Sequence, residues 1–292
     1  MLRIIWNSRG RDAKEGPVER LYSPQPADGR VVYQKHFRPR PRSPSLRIET
    51  AEITLVGDRE QNQDRVAMAG SRTAAMLAVV DGMGGHAEGE RAAQSATQTL
   101  MSIFRRRRMP CAAPPEFLAS SMIAAHEAVV DLGDGLPIET KPRATCVCAL
   151  VQDSRVWWLH VGDARAYLFR AGRLIDRTRD HSHVEALLQE GLISEDEVAG
   201  HPMRHYVEAC LGGEHGLPDL EAVPSHGLEP GDVILLCSDG FWSGHADAAL
   251  AGAALEEAAL DRWLAEAAAE AVRAGSPYAD NATAAALRFL SS

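Results

Sequence analysis

A chain of 292 residues, 45% hydrophobic and 24% charged, has the size and apolar content of a folded globular protein with a sizeable core. Its net charge of −9 is uneven: residues 1–50 carry 11 Lys/Arg against 5 Asp/Glu, whereas the other 242 carry 20 against 35. An acidic body disfavours nucleic acid as a partner, and the absence of any run of 18 apolar residues argues against a membrane span.

Residues 1–45 contain Pro17, Pro24, Pro26, Pro39, Pro41 and Pro44 with little apolar periodicity, and are expected to form a flexible basic extension to a domain at 46–292. Strand patterns come next at 49–57, 64–69 and 75–81, the last running Val79-Val80 into Asp81-Gly82-Met83-Gly84-Gly85-His86. A helix is expected at 87–108. Its end carries Arg105 to Arg108 just before Pro110, where cations complement the helix dipole. A second helix is expected at 115–132, then strands at 143–151 and 155–161, the turn Gly162-Asp163-Ala164, and a strand at 165–170. Helical patterns at 183–191 and 195–200 precede strands at 219–224 and 232–238, and the latter ends at Asp239-Gly240. An Ala- and Glu-rich helix with Trp263 on its apolar stripe is expected at 255–274. Asp280-Asn281 then leads into a strand at 282–289. This order is no regular βα alternation. It suits an α+β fold, an αββα sandwich of two mainly antiparallel sheets packed face to face with helices outside each.

Asp81, Asp163 and Asp239 each come after a buried apolar strand, and Asp64 and Asp280 stand near the two ends of the domain. Asp and Gly are ordinary turn residues, so none of these positions identifies a site alone. Carboxylates at the rim of an apolar core need compensation, and a hard divalent cation supplies it. Five aspartates spread over 217 residues converge only through tertiary structure, which excludes a local loop such as an EF-hand.

Arg59-x-x-Asn62-Gln63-Asp64, Asp81-Gly-Met-Gly-Gly-His86, Ala144-Thr145, Val161-Gly-Asp-Ala-Arg165, Asp180-His-Ser182, Asp239-Gly-Phe-Trp242 and Asp280-Asn281 together resemble the metal-dependent protein phosphatases of the type 2C serine/threonine family, in its bacterial form. The resemblance covers the chain from about Leu46 onward. It implies that Asp81 bridges two Mn²⁺ or Mg²⁺ ions, with the Gly82 carbonyl on one of them. Asp239 and Asp280 complete the protein's ligands, and Asp64 holds its ion directly or through water. Asp163 with Asp239 matches a weaker third site, and Arg59 matches the arginine that grips the substrate phosphate. The residue types agree with that chemistry. Oxygen ligands suit Mg²⁺ or Mn²⁺, two such ions activate a water for in-line attack, and the arginine fork matches two phosphate oxygens.

Five positions depart from the family pattern. Gln63 stands where many members have Glu, Met83 where eukaryotic relatives carry a histidine, Ala144 for Gly and Cys146 for Thr in a more usual Gly-Thr-Thr, and Ala164 for Ser. In the family the segment after Asp180 leads into a flap, so His181, His183, His201 and His205 are expected to shape substrate access, with Gly191, Gly200, Gly212 and Gly213 as hinges. The resulting expectation is a protein-serine/threonine phosphatase acting on phosphorylated protein substrates of a Ser/Thr kinase, as a monomer. The alternatives are a catalytically weak phosphopeptide-binding regulator of the same fold and a phosphatase for small phosphate esters. The N-terminus lacks the long apolar stretch and small-residue cleavage site of a secretory signal, and the odd set Cys111, Cys146, Cys148, Cys210 and Cys237 reads as buried thiols, so a cytoplasmic location is expected.

Overall fold

The computed structural model describes residues 31–36, 45–83, 87–198, 200–204, 206–213, 216–218, 220, 223–254 and 259–291. The strands are β1 (Val31–His36), β2 (Arg47–Leu55), β3 (Asp64–Gly70), β4 (Ala74–Met83), β5 (Arg143–Gln152), β6 (Arg155–Val161), β7 (Arg165–Arg170), β8 (Arg173–Arg177), β9 (Ser225–Gly227), β10 (Val233–Cys237) and β11 (Ala282–Ser291). The helices are α1 (Ala87–Arg106), α2 (Pro114–Leu132), α3 (His183–Gln189), α4 (Glu195–Val198), α5 (Asp239–Trp242), α6 (Asp247–Ala254) and α7 (Leu260–Gly275). One sheet runs β1-β2-β11-β10-β7-β8, the other β3-β4-β5-β6-β9, and every pairing is antiparallel.

Strand periodicity explains the layering. Along β4 the side chains of Met76, Ala78 and Val80 meet α1 and α2 through Leu100, Phe104, Leu118 and Met122. Those of Ala75, Leu77 and Val79 point the other way and meet Leu168, Ile234, Leu236 and Leu287 of the second sheet. A third cluster, with Tyr167, Phe169, Leu235 and Phe241, lies beneath Leu250, Trp263, Leu264 and Ala268 of α6 and α7. Both faces of the inner strands are therefore buried, which is why they read as continuous apolar runs. The expected αββα sandwich is the observed one.

Several boundaries differ from the sequence expectation. The segment expected as a flexible extension contributes β1, which pairs with β2 along Val31↔Thr54 to His36↔Glu49. The described residues of 219–224 form no strand: Leu220 and Val223 pack against the helix-side core from a loop, and their apolar spacing mimics one. The short polar strand β9 comes next instead, paired with β6. The helix expected at 255–274 begins at Leu260 and is preceded by a separate α6, while residues 255–258 lie outside the described set. The helix expected to end at Arg108 ends at Arg106. Among the described residues, no helix is long and apolar enough to cross a membrane.

Candidate metal centre

Asp64 opens β3 and lies directly opposite Asp81 of β4. Like charges in that register repel, so two bare carboxylates there are destabilising. Asp81 stands inside β4, two residues before its end at Met83, and faces Thr145 of β5 on its other side. Asp239 is the first residue of α5, immediately after β10. Asp163 lies in the turn joining β6 to β7, and Asp280 just before β11.

The loop between β2 and β3 is fastened to this cluster by buried Asn281. Its Oδ1 accepts from the Gln63 amide at 2.8 Å, and its Nδ2 donates to the carbonyls of Val56 and Gln61 at 2.8 and 3.0 Å. Gly57 adopts φ +64°, and a Cβ there would come within 2.2 Å of the Asp280 carbonyl, so only glycine permits this close approach. Gly82 is equally constrained: its amide donates to the Gln63 carbonyl at 3.2 Å, and a Cβ would fall 2.0 Å from the Gly89 carbonyl at the start of α1. The Gln63 amide side chain packs towards Gly89, where an added Cβ would meet its Oε1 at 2.9 Å.

Electrostatic coupling links the five aspartates. Burial, and then the charges of Asp64, Asp239, Asp163 and Asp280, push the Asp81 carboxyl well above the usual range. Burial raises Asp64 to about 7, against hydrogen bonds from Thr283 and Ser238 and with help from Asp239 and Asp280. Asp163 is raised by burial, then by Asp239 and Asp180. Two buried oxygens, Asp64 Oδ1 and Asp163 Oδ1, have no hydrogen-bond partner, nor has the Thr145 hydroxyl. Orphaned carboxylate oxygens among mutually repelling acids fit a divalent cation. Among the described residues no group of three or more His, Cys, Asp or Glu side chains is arranged so that it could hold an ion. Asp280 instead bonds Arg59, whose Nη2 lies 2.6 Å from Asp280 Oδ2 on a partly exposed surface. Arg59 thus stands at the edge of the cluster, where a fork for phosphate was expected.

The histidines after Asp180 serve structural contacts. His181 stacks on His160 at 4.3 Å and accepts the Gly162 amide at 3.2 Å. His183 Nδ1 lies 3.2 Å from Glu208 Oε1, and His201 Nδ1 accepts the Met203 amide. His86 and His205 lie outside the described residues. Sequence reasoning missed two supporting groups. Ser238 Oγ donates to Asp64 Oδ2, and Thr283 pairs its hydroxyl with Thr54 at 2.7 Å while bonding Asp64. Each neighbours a motif by one or two residues, and only that adjacency signals it.

The chain matches the protein phosphatase 2C family over residues 56–288. It is 32% identical over 191 residues to the serine/threonine protein phosphatase PstP of Mycobacterium tuberculosis, a match covering 63% of this chain and 34% of that one. The chain thus spans about a third of the length of the mycobacterial relatives it matches. The Streptococcus agalactiae serine/threonine phosphatase structure superposes with a TM-score of 0.75 at 25% identity, over 83% of this chain and 99% of that one. The PstP catalytic domain in complex with two manganese ions superposes at 0.70 with 28% identity, over 83% and 98%.

Proposed function

The chain belongs to the protein phosphatase 2C family, and we propose from this that it is a metal-dependent protein-serine/threonine phosphatase, hydrolysing phosphoserine and phosphothreonine on partner proteins. The observation that carries the reading is the pairing of buried Asp64 with half-buried Asp81, opposed across two strands with one Asp64 oxygen left without a partner. In this reading Asp81, the Gly82 carbonyl, Asp239, Asp280 and Asp64 hold two Mn²⁺ or Mg²⁺ ions, and Asp163 with Asp239 holds a weaker third. The PstP structure with two manganese ions supports that count. Bound there, the ions would supply a water of lowered pKa and positive charge against the phosphoryl oxygens.

The chain's own residues do the remaining work. β3–β4 pairing sets Asp64 directly across from Asp81, so the two present their charge side by side on one face of the sheet. Ser238 and Thr283 orient Asp64, and Asn281 fixes the loop that carries Arg59. Arg59 offers two parallel donors to a phosphate monoester once it leaves Asp280. The segment from His183 to Tyr206, closed at its base by the His183 amide on the Tyr206 carbonyl at 3.1 Å, borders substrate access.

In this reading the phosphatase domain spans 46–292, and β1 of the preceding segment pairs onto its edge. A cytoplasmic location fits the five free cysteines, four of them buried. The reading takes the protein as a monomer acting on targets of a Ser/Thr kinase. The test is phosphate release from a phosphothreonine peptide with Mn²⁺ and with EDTA. Release under Mn²⁺ alone is expected; tight peptide binding without release would favour the regulator.

A further inference from the structure

Arg165 opens β7 two residues after Asp163, and its side chain is only 13% exposed. Its guanidinium donates from Nε to Asp180 Oδ1 at 2.8 Å and from Nη2 to Asp180 Oδ2 at 2.7 Å, with Nη1 3.3 Å from the Tyr167 hydroxyl. The flat face of the fork lies 3.4 Å from the ring centre of Trp242. That indole is itself tied to the site: Nε1 donates to the Asp163 carbonyl at 2.9 Å. Trp242 ends the single helical turn that Asp239 begins.

One stack therefore joins three pieces of backbone: the turn bearing Asp163, the turn bearing Asp239, and the Asp180 segment. The Asp180 segment is in turn the root of residues 183–206. The His181 amide donates to the Gly162 carbonyl at 2.9 Å, its carbonyl accepts from Glu208 at 2.8 Å, and Ser182 bridges Val207. Both ends of the 183–206 segment are thus anchored beside Arg165.

A buried Arg–Asp pair is weak evidence for stability, because desolvation offsets most of the attraction. What this geometry does provide is placement. Arg165 stands two residues from Asp163 and within electrostatic reach of it, yet Asp180 takes both prongs of its fork and Trp242 its face, and Asp163 Oδ1 is left without a partner. We propose that Arg165 is a positioning residue. Held off by Asp180 and Trp242, it leaves the Asp163 carboxylate open to an ion, braces Asp163 against Asp239, and couples that pair to the base of the 183–206 segment. The inference rests on reading Asp163 and Asp239 as the weaker ion site.

The test uses the full chain, stripped of metal, titrated with Mn²⁺ by calorimetry and monitored by hydrogen exchange of residues 181–208. Trp242→Phe keeps a ring under the guanidinium but removes the N–H to Asp163. It is expected to weaken the weakest Mn²⁺ by about tenfold, as loss of an outer hydrogen bond to a ligand does, and to leave the tighter ions within about twofold. Arg165→Lys keeps the charge and loses the fork and stack. It is expected to weaken the same ion and to speed exchange at 181–208. Unchanged isotherms and exchange in both variants would overturn the proposal, as would equal weakening of every ion. If the wild type binds no weak third ion, the ion-site reading fails by itself. The brace then stands or falls on whether Arg165→Lys, with Trp242→Phe as the milder variant, speeds exchange at 181–208.

Discussion

Ser238 Oγ donates to Asp64 Oδ2 at 2.8 Å, a buried bond across 174 positions of sequence. The same hydroxyl accepts from the Thr283 amide at 3.0 Å, so one side chain ties three strands at the cluster. Ser238→Ala removes the bond and leaves a buried carboxylate oxygen unsatisfied. It is expected to destabilise the protein by about 1–3 kcal/mol and to weaken Mn²⁺ binding. Urea unfolding and metal titration check this, and no change in either would show that the bond does not orient Asp64.

Asp64 contributes to the pH dependence of the metal-free protein in the same sense as Asp81 and Asp163, whose carboxyls burial also raises. Its folded carboxyl lies at about 7 against an ordinary 3.8, so between those values the folded state holds a proton that the unfolded state has lost. Stability from this group therefore falls as pH rises through that window. The gain from Asp64→Asn, measured as a difference in melting temperature in EDTA, is expected to grow from about pH 4 to pH 7 and then level off. His181, lowered to about 4 by burial and by His160, acts in the opposite sense below its ordinary 6.5 but is common to both proteins and cancels. A pH-independent difference would contradict the buried, protonated Asp64.

At Gln63 the prediction concerns affinity. Its backbone is fixed by Asn281 and Gly82, and its side chain lies against Gly89 at the start of α1, one residue from Asp64. Gln63→Glu adds a negative charge beside the cluster and near a helix N-terminus, where it is tolerated. The half-saturating Mn²⁺ concentration is expected to fall several-fold, with little change in maximal rate on a phosphopeptide. Superimposed titrations would place position 63 outside the influence of the ions. A wild type inactive at saturating metal and switched on by Gln63→Glu would make the native chain a binding regulator.

A chain starting at Ser45 loses β1 and leaves β2 as a sheet edge, still paired with β11 from Arg47 to Leu55. It is expected to melt a few degrees lower, about what 1 kcal/mol does in a domain of this size. Hydrolysis of p-nitrophenyl phosphate is expected to be unchanged. Loss of folding or of that activity would make the leading segment part of the domain.

The architecture was legible where burial imposes a period. β4, β5 and β10 are apolar on both faces because each is covered on both, and the five aspartates stood out against them. Edge elements were not legible. β8 reads Arg-Leu-Ile-Asp-Arg with no fully buried residue, and β9 reads Ser-His-Gly, so neither carries an apolar pattern. Leu220 and Val223 carried one without being a strand, because a loop lying on a core also buries apolar side chains. At the site the acids were legible and their supports were not. Ser238 and Trp242 act on residues 174 and 79 positions away, a relationship that only tertiary structure creates.

In this reading Asp81 and Asp239 hold the ions that drive phosphomonoester hydrolysis. The test is the rate of phosphate release from a phosphothreonine peptide at saturating Mn²⁺ for wild type, Asp81→Asn and Asp239→Asn, with melting curves in EDTA as the folding control. Both variants are expected to lose activity while melting at or slightly above the wild-type temperature, since each removes one of several crowded negative charges. Retention of more than about a tenth of wild-type turnover, a barrier change under about 1.4 kcal/mol, by a folded variant would contradict the claim.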